Sequence, residues 1–431
     1  MAKVVPSGRL FALLCGLNLF NYIDRAAVSG LLEPIRKDLG ATDAQMGLVG
    51  SAFLLTYAFL PPVFGWLGDR VRRTGLLAMS GAVWCLATAA SGLIGSVGQL
   101  ALARGFVGIG EASYMANSPG IISDLYPVAK RGRMLSIFYS AAPIGAALGV
   151  AIAGAIAGQF GWRAACFMVG LPGLLLVAML YRSSDPDRGA MDAAPPAERG
   201  SIGDILKKLF GNPVFVLVTL AMAAQVFVQN AVEYWLPTIL QRDKAIPITE
   251  ANSTYGAMVL VAGIVGPLLG AWTGDWFRKR TPRGYFIVAA IAVLGVVAPL
   301  VIIALSASRV TVFGMVMTEA LFGNAAVGLV MAMAMEQVGA EVRSTAAAVL
   351  LTSMHLLGDF ISWPLVGAMS TTMAGGGLAW LRDFAMSVGV RGGDHLSIAL
   401  VGVSVPVALL ASMFYLVAAR LTKVGHEITL P

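Results

Sequence analysis

The sequence predicts an all-α polytopic membrane protein: twelve transmembrane helices in two six-helix bundles related by a pseudo-two-fold axis along the membrane normal. Three observations carry that prediction. Of 431 residues, 58% are hydrophobic and only 12% charged, too little charge to cover a water-soluble surface of this size. Apolar runs long enough to cross a hydrocarbon layer, about 20 residues each, recur six times in each half of the chain. One short charged motif also appears at the equivalent place in both halves.

The runs fall at roughly 9–31, 44–68, 75–96, 98–122, 134–158 and 161–181, and then at 212–240, 252–275, 284–306, 309–336, 344–370 and 395–419. Only Ser96 to Gln99 part the third from the fourth. The opening stretch has the look of a signal peptide, but Asn21-Tyr22-Ile23-Asp24-Arg25 interrupts it where a small-residue cleavage site belongs. It is therefore expected to stay as the first span. Residues 183–211 form the only long polar, Pro/Gly-rich connection, so the expected organisation is a bundle at 1–182, a cytoplasmic linker at 183–211 and a second bundle at 212–431. The end of the linker, Ile202 to Phe210, has the spacing of a short interfacial amphipathic helix.

A net charge of +7 would suggest nucleic acid in a soluble protein, but here the basic residues cluster in alternate loops. Arg70/Arg72/Arg73, Lys130/Arg131/Arg133, Lys207/Lys208 and Arg278/Lys279/Arg280/Arg283 share one face when the N-terminus is placed inside. About two thirds of the Lys and Arg then lie on that side, which predicts cytoplasmic termini; an inner membrane is the expected location, and no nucleic-acid partner is expected. Cys15, Cys85 and Cys166 sit in separate apolar runs, so neither a disulfide framework nor a metal site is expected. There is no phosphate-binding Gly-x-x-x-x-Gly-Lys-Ser/Thr loop and no cofactor is expected, so work must be driven by a gradient. The three histidines, His355, His395 and His426, are too scattered to build an enzyme site with a nucleophile or metal. A monomer among lipids is the expected unit.

Gly65-Trp66-Leu67-Gly68-Asp69-Arg70-Val71-Arg72-Arg73 after the second span matches Ala271-Trp272-Thr273-Gly274-Asp275-Trp276-Phe277-Arg278-Lys279 after the eighth. Recurrence on the same membrane face indicates parallel repeats. Gly65, Gly68, Asp69, Arg70, Arg73, Gly274, Asp275 and Arg278 form a candidate gating motif, in which glycines permit close helix approach and the acid meets a helix N-terminus or a cation. A simple positive-inside anchor would account for one copy more readily than for two.

The Gly-x-x-Gly-Asp-Arg-x-x-Arg pattern resembles the cytoplasmic signature of the major facilitator superfamily. Asn21-Tyr22-Ile23-Asp24-Arg25, the stretch from Arg104 through Glu111 to Tyr114, and Arg343-Ser344-Thr345-Ala346 leading to His355-Leu356-Leu357-Gly358-Asp359 are similar to the spinster family. That resemblance implies a transporter of lysolipid or sphingoid-type amphiphiles with proton coupling, and the short loops imply a prokaryotic relative of the sphingosine-1-phosphate and lysolipid transporters.

The ionisable residues inside spans are the site candidates, because a charge in hydrocarbon must be paired or face water. Asp24 and Arg25 lie about 15 residues into the first span and point about 100° apart, so each needs a partner on another helix. Asn18, Asn21, Tyr22 and Arg25 share one helical face. Arg104 and Glu111 share a face of the fourth span, with Gly108 between them, and Arg104 falls at a depth similar to Asp24. Making and breaking an Asp24–Arg104 contact would switch proton affinity, with Asp24 and Glu111 as proton carriers. Arginine holds its charge, so Arg25 and Arg104 serve as partners or as binders of an anionic head group. A static salt bridge would use the same residues. Asn21, Tyr22 and Tyr114 complete the first-half candidates. In the second half Glu319 lies mid-span without a nameable partner, His355 and Asp359 are one turn apart and can bond each other, and Glu233-Tyr234-Trp235 fits either an interfacial anchor or a site. One polar wall and one apolar wall suit an amphiphile. Small organic anions or drugs moved with protons, or a sensor that binds without transport, remain open alternatives.

Overall fold

The computed structural model describes residues 7–191, 202–338, 343–391 and 393–422. It is helical, with no strand among the described residues. Helix α1 spans Ser7–Leu39, α2 Asp43–Gly68 and α3 Arg73–Leu93, and α4 Val97–Leu125. The stretch Lys130–Tyr181 divides at Gly161, whose φ of +82° breaks the helical path and is open only to glycine at low cost. It supplies α5 (130–160) and α6 (162–181). A short α7, Ile202–Phe210, falls where the amphipathic spacing placed it. Then come α8 Pro213–Arg242, α9 Ile248–Arg278, α10 Gly284–Leu305, α11 Arg309–Glu336 and α12 Thr345–Ala374, a short α13 Ala379–Ser387, and α14 His395–Leu421.

Among the described residues nine stretches are long and apolar enough to cross a membrane, and one of them, Lys130–Tyr181, is the pair α5 and α6. The other two long helices, α1 and α4, are those whose mean hydropathy is lowered by Asn18, Asn21, Asp24 and Arg25 and by Arg104, Glu111 and Asn117. The departure from apolarity thus marks the helices that carry the charged site.

Local chemistry sets the ends. Thr42 caps α2 in a reciprocal box with Gln45, Gln45 N–H to Thr42 Oγ1 at 3.2 Å and Thr42 N–H to Gln45 Oε1 at 2.9 Å. Ser96 and Ser308 cap α4 and α11. Prolines sit inside α1, α4, α8, α9, α12 and α14, as membrane helices tolerate when neighbours re-satisfy the freed backbone. Helix α12 widens into a π-turn at Met354–Asp359, a distortion that recurs at functional positions.

Two elements differ from the sequence expectation. Helix α1 runs to Leu39, well past 31, because Glu33 bonds Arg36 at 2.9 Å and Lys37 at 3.3 Å along its own surface and keeps a charged final turn helical. Helix α13 was not anticipated, since nine residues with Arg382 and Asp383 in the middle fall below the length of any span.

The chain forms two compact units, Met1–Pro196 with Trp235–Leu260, and Ala197–Tyr234 with Val261–Pro431. The boundary passes through α8 and α9, whose residues 235–260 belong to the first unit. In that unit α1 packs along α5, α4 lies against α2 and α3, and α3 against α6. Small residues set the spacing: Gly149 abuts the Ile23 carbonyl, and Gly154 and Gly158 abut Asn252 and Thr249. Trp84, Tyr114 and Phe138 fill the interior. In the second unit α14 packs against α10 and α12, and α10 against α11.

Candidate functional site

The first unit buries four ionisable groups in two cross-helix pairs. Arg104 of α4 reaches Asp24 of α1 at 3.5 Å, and the Thr88 hydroxyl of α3 donates to the other Asp24 oxygen at 2.6 Å. Arg25 of α1 approaches Glu111 of α4 with Nε 2.9 Å from Oε2. The 100° stagger of neighbouring residues thus sends Asp24 and Arg25 to different partners two turns apart on one helix. Asp24 and Arg104 are only 3% and 4% exposed and Glu111 is sealed, while Arg25 retains about a fifth of its side-chain surface. With both carboxylates ionised the quartet is neutral.

Aromatic rings complete the surroundings. The Arg25 guanidinium lies over Tyr57 at 4.1 Å, Phe53 at 4.9 Å and Tyr22 at 5.7 Å, and Arg104 over Phe53 at 5.1 Å. Such faces hold a cation where water is scarce. Hydrogen bonding is nonetheless incomplete. Both amide atoms of buried Asn21, which lies beside Glu111, both Glu111 oxygens and Nε of Arg104 lack a well-aligned hydrogen bond among the described residues. Buried polar atoms without a well-aligned partner are costly.

Two candidates separate from this group. The Tyr114 hydroxyl is fully buried and donates to the Leu14 carbonyl, with its ring against Trp84 and Phe138. It packs the bundle. Asn18, expected on the same stripe as Arg25, donates to the Phe138 carbonyl at 2.8 Å and ties α1 to α5.

The second unit holds its own polar group at the π-turn of α12. His355 Nδ1 lies 2.8 Å from Asp359, Asn230 of α8 donates to the other Asp359 oxygen, and Trp363 Nε1 donates to the Asn230 carbonyl at 2.9 Å. Tyr234 stacks on Trp363 with centroids 4.4 Å apart. Glu319 is 4% exposed, and the charged group nearest to it in effect is Glu233 of α8, whose side chain bonds Gln229 at 3.1 Å. Glu233 itself is exposed.

The repeated motif is asymmetric. Arg73 is buried and bonds Asp124, the Asp185 carboxylate and the Pro186 carbonyl, whereas Arg70 is exposed over Trp66 at 4.0 Å. Asp69 and Asp275 are exposed. Asp275 accepts from the Tyr285 hydroxyl at 2.6 Å, and Arg278 pairs with Glu336. Gly68 and Gly274 do permit close approach, to Asn117 and to Leu329 with Tyr285, but Gly65 faces open space, so close packing is not the reason for glycine there. The side chains of Arg343 and Ser344, the residue His426 and the linker centre 192–201 lie outside the described residues.

Sequence reasoning missed the rings of Phe53 and Tyr57, the Thr88 hydroxyl and a charge network at the C-terminal end of α1. There Arg242 bonds Asp43 and approaches Glu33 at 3.8 Å, while Asn252 donates to the Gly30 carbonyl at 3.0 Å. Glu33 beside Pro34 was a usable signal, because a carboxylate at the end of an apolar run needs a partner.

Spanning helices by the dozen and a charge quartet held within one bundle point to a multi-pass membrane transporter. The family model of the Major Facilitator Superfamily matches residues 14–362, and the chain belongs to that superfamily and, within it, to the spinster family. It is 34% identical to protein spinster homolog 1 of Xenopus tropicalis over 379 residues, 82% of this chain and 71% of that one. It is likewise 34% identical to the Homo sapiens homolog 1 over 393 residues, 84% and 73% of the two chains. A solved bacterial homolog of the human lysosomal transporter spinster, in an inward-facing and unoccupied conformation, superposes with a TM-score of 0.86 at 25% identity, covering 97% of this chain and 98% of that one. A D-xylose–proton symporter shares the fold at a TM-score of 0.70 and 21% identity, over 95% and 96% of the two chains. The chain is a secondary transporter and not an enzyme.

Proposed function

We propose that this transporter moves an amphipathic lipid, such as a lysolipid or sphingoid-type molecule, by alternating access coupled to protons, in a bacterial inner membrane with both termini in the cytoplasm. The observation that supports it most is the quartet of Asp24, Arg25, Arg104 and Glu111. A proton on Asp24 weakens its hold on Arg104, and a proton on Glu111 does the same for Arg25. Since the arginines stay charged, each release frees a cation to take the anionic part of a head group. Leaving of that anion restores the ion pair and expels the proton. A proton on the carboxylate and an anion on the arginine thus favour one another, and the two bind and leave together, which is a minimal scheme for proton coupling. The apolar spans of the second unit provide surface of the kind an alkyl chain needs.

The test is flux of a labelled lysolipid by purified protein in liposomes, with and without an imposed pH gradient, for wild type, Asp24→Asn and Glu111→Gln. Gradient-driven flux that is lost in both variants supports the proposal. Wild-type flux indifferent to the gradient removes proton coupling, and absence of flux for every lysolipid by folded protein removes the lipid.

A further inference from the structure

Phe53 stands between the two cations of the quartet. Its ring centroid is 4.9 Å from the Arg25 guanidinium and 5.1 Å from that of Arg104, and the residue is 3% exposed. Its place is set from two directions. On α4, Gly108 packs directly on the Phe53 carbonyl with no room for a Cβ, and the Thr56 hydroxyl donates to the Gly105 carbonyl at 2.9 Å. On α2 the ring stacks with Tyr57, centroids 5.4 Å apart and planes 17° apart, and Tyr57 itself lies under Arg25. The ring is therefore pinned to the helix that carries Arg104 and Glu111, at the turn between them.

We propose that Phe53 is a positioning residue that couples the two ion pairs, so that a change of partner at Arg104 is transmitted to Arg25. A ring attracts a guanidinium to its face through its quadrupole and keeps it there with little water. One ring engaging two cations makes their positions interdependent: when Arg104 loses the Asp24 carboxylate it leans on the shared ring, and a tightly packed ring can yield only toward Arg25. An aliphatic side chain would fill the space without that attraction. This inference rests on the proton-coupled mechanism proposed above.

The other titratable groups that face the quartet are Tyr22 of α1, Tyr57 of α2, Cys85 of α3 and Cys166 of α6, with Tyr139 of α5 facing Tyr22 and Tyr57. Thiols and phenols are uncharged near neutral pH. Asp24 and Glu111 are then the groups whose charge changes, and Phe53 touches the partner of each.

The experiment is an infrared titration of the carboxyl bands of full-length protein in liposomes, with bands assigned by Asp24→Asn and Glu111→Gln. With Phe53 present, Glu111→Gln displaces the titration of Asp24. In a Phe53→Leu background that displacement falls to less than half, and in Phe53→Tyr it is retained. An undiminished displacement in folded Phe53→Leu overturns the coupling role. If Phe53→Leu does not fold, Phe53→Met, non-aromatic and closer in length, is read in its place. Two titrating carboxylates that remain linked without the ring defeat only the role of Phe53. Carboxylates that do not titrate at all in wild type defeat both this inference and the proton-coupled mechanism.

Discussion

Arg242 grips the Asp43 carboxylate with both prongs of its guanidinium, Nη1 to Oδ1 at 2.8 Å and Nη2 to Oδ2 at 3.0 Å. Asp43 opens α2 and Arg242 closes α8, so the contact holds residues 235–260 to the first compact unit, next to the Asn252–Gly30 hydrogen bond. Arg242→Ala is expected to lower stability by about 1–2 kcal/mol, below the upper range for a charged hydrogen bond because the arginine is partly exposed. Arg242→Lys should recover only part of that loss, because an ammonium cannot engage both oxygens in the same plane. Thermal unfolding in detergent checks this, and equal midpoints for Lys and Arg would contradict the bidentate account.

Arg70 and Arg73 of the first motif should behave differently despite lying three residues apart. Arg73 is buried and holds Asp124, Asp185 and the Pro186 carbonyl, so Arg73→Ala strands a buried carboxylate and should cost about 3 kcal/mol. Arg70→Ala removes an exposed side chain that rests on Trp66 and should change the unfolding midpoint very little. Similar losses for both would show that charge count, not burial, governs the motif.

Gly108→Ala places a methyl against the Phe53 carbonyl and the Thr56 hydroxyl. Forcing α2 and α4 apart should cost about 1–3 kcal/mol and move Phe53 away from the arginines. Gly120→Ala on the same helix, where nothing lies within 4 Å, should be neutral or slightly stabilising through helix propensity. Comparing the two by thermal unfolding separates close packing from loss of flexibility.

Asp359→Ala removes an acceptor from Asn230 and from His355 at the π-turn, and should destabilise the second unit by about 1–3 kcal/mol. Asp359→Asn keeps an oxygen for Asn230 and should cost less. Because Trp363 bonds the Asn230 carbonyl and stacks on Tyr234, tryptophan fluorescence during unfolding reports the loss; identical curves for the Ala and Asn variants would contradict the assigned hydrogen bonds.

The separate pairing of Asp24 and Arg25 was legible because adjacent residues on a helix point apart, and the Arg104–Asp24 partnership was legible from depth alone. The Arg25–Glu111 pair was not, since spacing within α4 says which residues share a face but not which face of α1 it meets. Tyr114 lies close in sequence to Glu111, and its hydroxyl donates to the Leu14 carbonyl, a partner that spacing alone does not name. Glu233 fitted either an anchor or a site, and the fold leaves it exposed and bonded to Gln229 one turn away.

What the sequence determined by itself is whatever follows from composition and period: helices, spans, an in-phase motif in both halves, and the rule that Asp24, Arg104, Glu111 and Glu319 must find partners or water because hydrocarbon solvates no charge. What only the tertiary structure decided is which partners they found. That choice depends on helix rotation and on contacts between residues far apart in sequence, such as Arg242 with Asp43 and Gly154 with Asn252, where close packing admits one arrangement among many that the hydrophobic pattern would allow.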